Sequence, residues 1–111
     1  MYKPTGSWVA IPTPFNESGS IDWKGFEVLI DHHKKHGTSL LLVMGSAGEV
    51  TMLSADERKE IVRRVTKYAK GKIPVFFGAT FPTTEETIKF SQFAEAEGAD
   101  GLVYTAPPYL L

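Results

Sequence analysis

The chain has 111 residues, enough for one small domain, and its 42% hydrophobic and 23% charged residues exclude a disordered or fibrous protein. A formal net charge of −1 gives no basic surface, so we expect no nucleic acid as a partner. The absence of cysteine excludes disulfides and a thiol nucleophile, and no apolar run is long enough to span a membrane, so we expect a cytoplasmic protein without a membrane partner.

The sequence predicts a strand over residues 7–11 as the first element and a helix over residues 23–36 as the second. Asp22 is the predicted N-cap of this helix and Gly37 its stop. The helical spacing of its apolar residues predicts a buried face formed by Phe26, Leu29 and Ile30.

A second strand over residues 40–44 runs into a short glycine-containing loop. Gly45 and Gly48 allow the backbone to turn tightly and its N–H groups to converge on an anion, although a plain strand-to-helix turn explains them as well. The second helix has a start signal and a stop signal. Ser54 and Glu57 form its S-x-x-E capping box, and it ends before Gly71. Its predicted apolar stripe is Ile61, Val62, Val65 and Ala69, and its charged residues 56–60 are predicted to be a solvated face.

The third strand covers residues 75–78 and the fourth residues 101–105. The helix between them begins near Thr83 or Thr84, where Thr83 and Glu86 repeat the capping box, and carries apolar Ile88, Phe93 and Ala94. Three of the four strands are apolar nearly throughout, which is typical of parallel strands covered on both faces. Strands recur about every 30 residues, the size of a βαβ unit.

The histidines of the first helix are candidates for a metal site, because His32 and His36 are four residues apart. No carboxylate accompanies them as in H-E-x-x-H, and they lie outside any predicted site. The pattern is more typical of surface histidines near a helix carboxyl end, so we predict no metal and no cofactor.

Six segments, in order and spacing, resemble the dihydrodipicolinate synthase and N-acetylneuraminate lyase family. They are residues 6–15, 45–49, 74–78, 83–85, 98–101 and 107–109. Gly45-Ser46-Ala47-Gly48-Glu49 resembles the family's G-T-T-G-E signature, and Pro107-Pro108-Tyr109 its P-Y-Y segment. The resemblance implies an α/β fold, the first half (about four βα units) of a (β/α)₈ TIM barrel. A complete barrel needs roughly 250 residues, so residues 1–111 are expected to be the N-terminal part of a TIM-barrel lyase. We treat them as a single domain.

The resemblance also implies the chemistry, that of a lyase or aldolase acting on pyruvate or another 2-keto acid through a Schiff base. It makes Gly45, Ser46, Ala47 and Gly48 the loop that binds the substrate carboxylate. It makes Tyr109 a catalytic proton-relay residue that reaches a neighbouring subunit's site, so a homo-oligomer is expected. Two positions depart from the family pattern, since Ala47 lacks the second threonine hydroxyl and Pro108 replaces the first tyrosine.

None of the nine lysines is predicted at the carboxyl end of a strand. The resemblance therefore implies that the Schiff-base lysine lies beyond residue 111 and that this chain alone is inactive. The alternative is a non-catalytic α/β half-barrel or doubly wound module that self-associates and at most binds a small carboxylate. In a half-barrel we expect an inner apolar face formed by Val9, Ile11, Leu41, Val43, Val103 and either Phe76 or Phe77.

Overall fold

The computed structural model describes residues 6–45, 53–81 and 83–104, which alternate between strands and helices. The strands are β1 (Trp8–Ile11), β2 (Leu40–Val43), β3 (Val75–Gly78) and β4 (Gly101–Val103), and the helices are α1 (Trp23–Lys35), α2 (Ala55–Ala69) and α3 (Thr84–Ala96). These elements confirm the predicted order, with bounds close to the predicted ones.

The helices begin at the predicted capping residues. The Asp22 carboxylate accepts a hydrogen bond from the Gly25 backbone N–H at 2.9 Å. Ser54 and Glu57 form both bonds of the capping box, at 3.1 and 2.9 Å, and the Thr83 hydroxyl accepts from the Glu86 backbone N–H at 3.1 Å. Each cap satisfies a backbone donor that has no partner within its helix.

The four strands form one parallel sheet in the order β1-β2-β3-β4. A doubly wound sheet would require the strand order to reverse at a switch point. Consecutive parallel strands with a helix in each connection are instead the arrangement of a TIM barrel. This order confirms the predicted fold class and disfavours the doubly wound alternative.

Helices α1, α2 and α3 all contribute to one core that covers a single face of the sheet. The strand residues in this core are Ile11, Leu41, Val43, Val75 and Phe77, and the helix residues are Phe26, Ile30, Ile61, Val62, Val65, Ala69, Phe90 and Ala94. The predicted stripe of α2 is confirmed, whereas Leu29 of α1 is only half-buried. The core of α3 was predicted less well, since Ile88 is 50% exposed and Phe90 is buried instead. Ile88 is six residues from Ala94, which places it about 120° around the helix from the buried stripe.

The predicted inner face was largely wrong. Val9, Ile11, Leu41 and Val43 face the helices, and the register assigns the opposite face, here called the inner face, to Ala10, Leu42, Phe76, Gly101 and Val103. Because side chains alternate along a strand, an error of one residue exchanges the two faces, and strands that are apolar throughout give no pattern to prevent it. Within the described ranges, helices cover the strands on one face only, as in a barrel, where the other face packs in the interior.

No helix among the described residues has the length and apolar character needed to cross a membrane.

Candidate functional site

The candidate site lies at the carboxyl edge of the sheet, where β2 and β3 end side by side. Gly78, the last residue of β3, lies directly against the backbone of Met44 and Gly45. A Cβ atom at Gly78 would collide with the Met44 carbonyl oxygen and would lie 3.4 Å from the Gly45 Cα. Only glycine permits this contact, which fixes the start of the β2–α2 loop relative to β3.

Met44 connects β2 to this loop in an unusual conformation. Its φ angle of 60° lies in the left-handed region, although it is not a glycine, and its side chain is only 1% exposed. Such a backbone costs on the order of 1 to 3 kcal/mol, so packing of the buried side chain must hold it there. The predicted second strand included Met44, but this turn ends the strand at Val43.

Gly45 is the one predicted substrate-binding residue that lies within the described part of the chain. A Cβ atom here would lie 2.8 Å from the Cδ2 atom of Leu42, so close packing against Leu42 explains the glycine. This local requirement is compatible with either a binding loop or a plain turn. Ser46, Ala47 and Gly48 lie outside the described residues, as does Tyr109, and their predicted roles remain predictions.

Arg58, in the first turns of α2, connects this helix to the segment that follows β3. Its guanidinium donates to the Thr80 carbonyl oxygen at 3.4 Å and lies 4.3 Å from the centre of the Phe81 ring. The side chain is buried, which lowers the pKa of Arg58, while the Glu86 carboxylate opposes that shift. The sequence had predicted a solvated face here. This prediction was wrong because a long cationic side chain can pack its apolar stem against neighbouring residues, and the charge of a residue does not show whether it will do so.

The segment after β3 has further anchors on its other side. The Ala79 backbone N–H donates to the Val103 carbonyl oxygen at 2.9 Å, and the Phe81 N–H donates to the Thr87 hydroxyl at 3.0 Å. Phe81 also packs against Phe90 of α3, with ring centres 5.1 Å apart. Gly78 therefore fixes the end of β2 against β3, and Arg58 and the start of α3 hold the segment after β3 in place.

Thr13, which follows β1, is another residue that the sequence did not nominate. It is 6% exposed and lies just beyond the carboxyl end of β1. A hydroxyl residue just beyond the first predicted strand was the available signal, since barrel sites are built at that edge.

The lysines of residues 6–45, 53–81 and 83–104 lie on helices or near the amino edge of the sheet. Lys72, just before β3, is 3.4 Å from the Asp31 carboxylate and 3.6 Å from the centre of the Tyr68 ring. Its contact with the Tyr68 hydroxyl, followed by its contact with Asp31, raises the pKa of Lys72. A Schiff-base lysine needs a lowered pKa, so Lys72 is unsuited to that role.

Comparison with known proteins identifies the family. The model of the Dihydrodipicolinate synthetase family matches residues 3–111, nearly the whole chain. The chain belongs to the dihydrodipicolinate synthetase family.

Individual members of the dihydrodipicolinate synthetase family are similar along nearly all of the chain. The 4-hydroxy-tetrahydrodipicolinate synthase of Pseudomonas aeruginosa is 36% identical over 104 residues, which are 94% of this chain and 36% of the relative. That of Alkaliphilus oremlandii is 38% identical over 109 residues, 98% of this chain and 37% of the relative. The chain thus spans about a third of the length of these relatives.

Solved structures of the family have the same fold in this region. The dihydrodipicolinate synthase of Aquifex aeolicus matches with a TM-score of 0.84 and 35% identity, over 89% of this chain and 33% of that one. The chloride-inhibited enzyme of Acinetobacter baumannii, solved in complex with pyruvate, matches with a TM-score of 0.85 and 33% identity. The match covers 92% of this chain and 35% of that one. The βα units described above are therefore part of a TIM barrel.

Proposed function

We propose that this chain supplies part of the active site of a pyruvate-dependent lyase of the aldolase type. The observation that carries the proposal is family membership along residues 3–111, and Gly45 lies at the carboxyl edge where barrel enzymes build their sites. The relatives are named synthases, and one of them was solved in complex with pyruvate.

In this proposal, residues 45–48 bind the carboxylate of pyruvate or another 2-keto acid. Backbone N–H groups of a glycine-containing turn can converge on an anion, and the Ser46 hydroxyl adds a donor. Ala47 offers no hydroxyl, so this loop has one side-chain donor fewer than the G-T-T-G-E pattern. The contact between Gly78 and Met44 would fix Gly45, the first residue of this loop, relative to β3.

The covalent step would use a lysine outside these 111 residues. Its neutral amine would attack the keto carbon, and loss of water would give an imine that draws electrons from the neighbouring carbon. A proton would then leave that carbon, so that it can attack an aldehyde. Tyr109 would relay protons in a neighbouring subunit's site, which requires a homo-oligomer.

Borohydride trapping with pyruvate tests this proposal. The protein in its longest natural form should give a stoichiometric, borohydride-stable adduct on one lysine, and the 111-residue polypeptide alone should give none. Mass spectrometry of the digested protein locates the adduct. Absence of an adduct in the longest form would contradict the Schiff-base mechanism, and an adduct on any of the nine lysines of this chain would contradict the assignment of the lysine elsewhere.

A non-catalytic module is the second candidate, and one feature favours it. Among the described residues no helix covers the apolar inner face, so a polypeptide of these 111 residues would have a surface suited to self-association. Failure of trapping in every form, together with a stable assembly of the 111-residue chain, would favour this candidate.

A further inference from the structure

Two exposed histidines near the carboxyl end of α1 have their rings in contact. His32 is in the helix and His36 is its C-cap, so they are four residues apart and project from the same side. Their ring centres are 4.3 Å apart and the ring planes are inclined by 35°. The two imidazole rings are therefore in contact on one side of the helix.

A hydrogen bond fixes which nitrogen of His36 is available. Its Nδ1 lies 2.8 Å from the His32 carbonyl oxygen. A carbonyl oxygen can only accept, so Nδ1 must carry the proton, and in the neutral ring Nε2 carries the free electron pair. Histidines that bind metals commonly have this arrangement, with the other ring N–H donated to a backbone carbonyl.

The charges around the pair act in both directions. The carboxyl end of a helix has a partial negative charge, which favours a bound cation. Lys34 and Lys35 in the same turn oppose it, and the Asp31 carboxylate already accepts from Tyr68 and contacts Lys72. Binding must therefore come from direct coordination by nitrogen and not from charge attraction.

We propose that His32 and His36 together bind one late first-row divalent ion, with Cu²⁺ bound more tightly than Ni²⁺ or Zn²⁺. Imidazole nitrogen suits all three ions, and the general order of affinity places Cu²⁺ first. The described residues contain no group of three or more His, Cys, Asp or Glu side chains arranged for a metal, so water completes the coordination. The sequence alone had argued against a metal because no third ligand accompanies the pair; the ring contact and the fixed proton of His36 are what the structure adds.

The site is separate from the proposed active site. The carboxyl end of α1 leads into the start of β2, at the amino edge of the sheet, whereas Gly45 lies at the carboxyl edge. A bound ion would link the last turn of α1 and stabilise the folded state in proportion to its affinity. The proposal does not depend on the catalytic one.

His33 provides a matched control within the same turn. Its Nδ1 is 2.9 Å from the Thr38 hydroxyl, its ring is edge-on to that of His32, and it is partly buried. It is next to the pair but is held by a different partner.

The test is titration of the folded protein with CuCl₂ at neutral pH, followed by calorimetry and electron paramagnetic resonance. The wild type should bind one equivalent of Cu²⁺ with nitrogen coupling from two imidazoles. His32→Ala and His36→Ala should each weaken binding about tenfold or more and remove the two-imidazole signal, as expected when a chelating ligand is lost.

His33→Ala should keep both the affinity and the signal, and circular dichroism should show that each variant remains folded. The proposal is overturned if His32→Ala or His36→Ala binds Cu²⁺ like the wild type. It is also overturned if His33→Ala loses binding to the same extent, because the ion would then not be held by the pair.

Discussion

At the scale of single residues, Gly78 is the position where an added methyl group has the clearest predicted effect on stability. Gly78→Ala should lower the free energy of unfolding by about 3 kcal/mol or more, because the new Cβ would displace the Met44 backbone, which nothing flexible can accommodate.

Gly37→Ala is the matched control for Gly78→Ala. Gly37 has a φ of 77° but no atom near its missing Cβ, so only backbone strain of about 1 to 2 kcal/mol is expected. Urea denaturation measures both variants. A loss in Gly78→Ala no larger than that in Gly37→Ala would contradict the predicted collision with the Met44 backbone.

Ser46 carries the prediction for the proposed binding loop. If the longest natural form of the protein has the proposed activity, Ser46→Ala should raise its KM for the keto acid by a factor corresponding to about 1 to 2 kcal/mol, because a charged carboxylate loses a donor. Ala47→Thr, which adds a hydroxyl, should be tolerated. Steady-state kinetics with pyruvate measures both variants. Unchanged kinetics in Ser46→Ala would show that the loop is a structural turn and not a binding loop.

At the scale of elements, Arg58 is the main side-chain connection between α2 and the segment after β3. Arg58→Ala should destabilise the protein by about 2 kcal/mol, from the loss of the contact with the Phe81 ring, the bond to the Thr80 carbonyl and the packing of the side chain.

Arg63→Ala, on the same helix, is the control for Arg58→Ala. The Arg63 side chain is 50% exposed and forms surface ion pairs with Glu60 and Glu97, so its loss should cost less than about 1 kcal/mol. Thermal unfolding compares the two variants. If Arg58→Ala were no more destabilising than Arg63→Ala, the buried arginine would not be holding α2 to the segment after β3.

At the scale of the whole molecule, the 111-residue polypeptide by itself should self-associate. Strands β1 and β4 are the edges of the sheet, and in the part of the chain that the structure describes no helix covers the apolar inner face. Sedimentation across a wide range of dilution should show assemblies that dissociate only at low concentration. A stable monomer with protected amides in β1 and β4 would contradict this prediction.

A pair of substitutions tests whether the inner face is the surface involved. Leu42→Glu introduces a charge on that face and should reduce association. Val28→Glu introduces the same charge on α1, where Val28 is 57% exposed, and should leave association unchanged. If both variants sedimented like the unmodified chain, association would have to use another surface.

The sequence by itself determined the order of the elements, the starts of the helices and the family. Those features depend on local signals, such as the Ser54 capping box, the glycines after each helix and the ordered family segments, and each can be recognised within a few neighbouring residues. Gly45 could be placed at a strand end for the same reason.

Only the tertiary structure decided which strand face packs on the helices, that Arg58 is buried, and that Met44 turns with a positive φ beside Gly78. Each of these depends on contact between segments far apart in the chain. Strands that are apolar throughout leave the choice of face open, and a charged residue or a methionine in sequence does not reveal which neighbour will cover it.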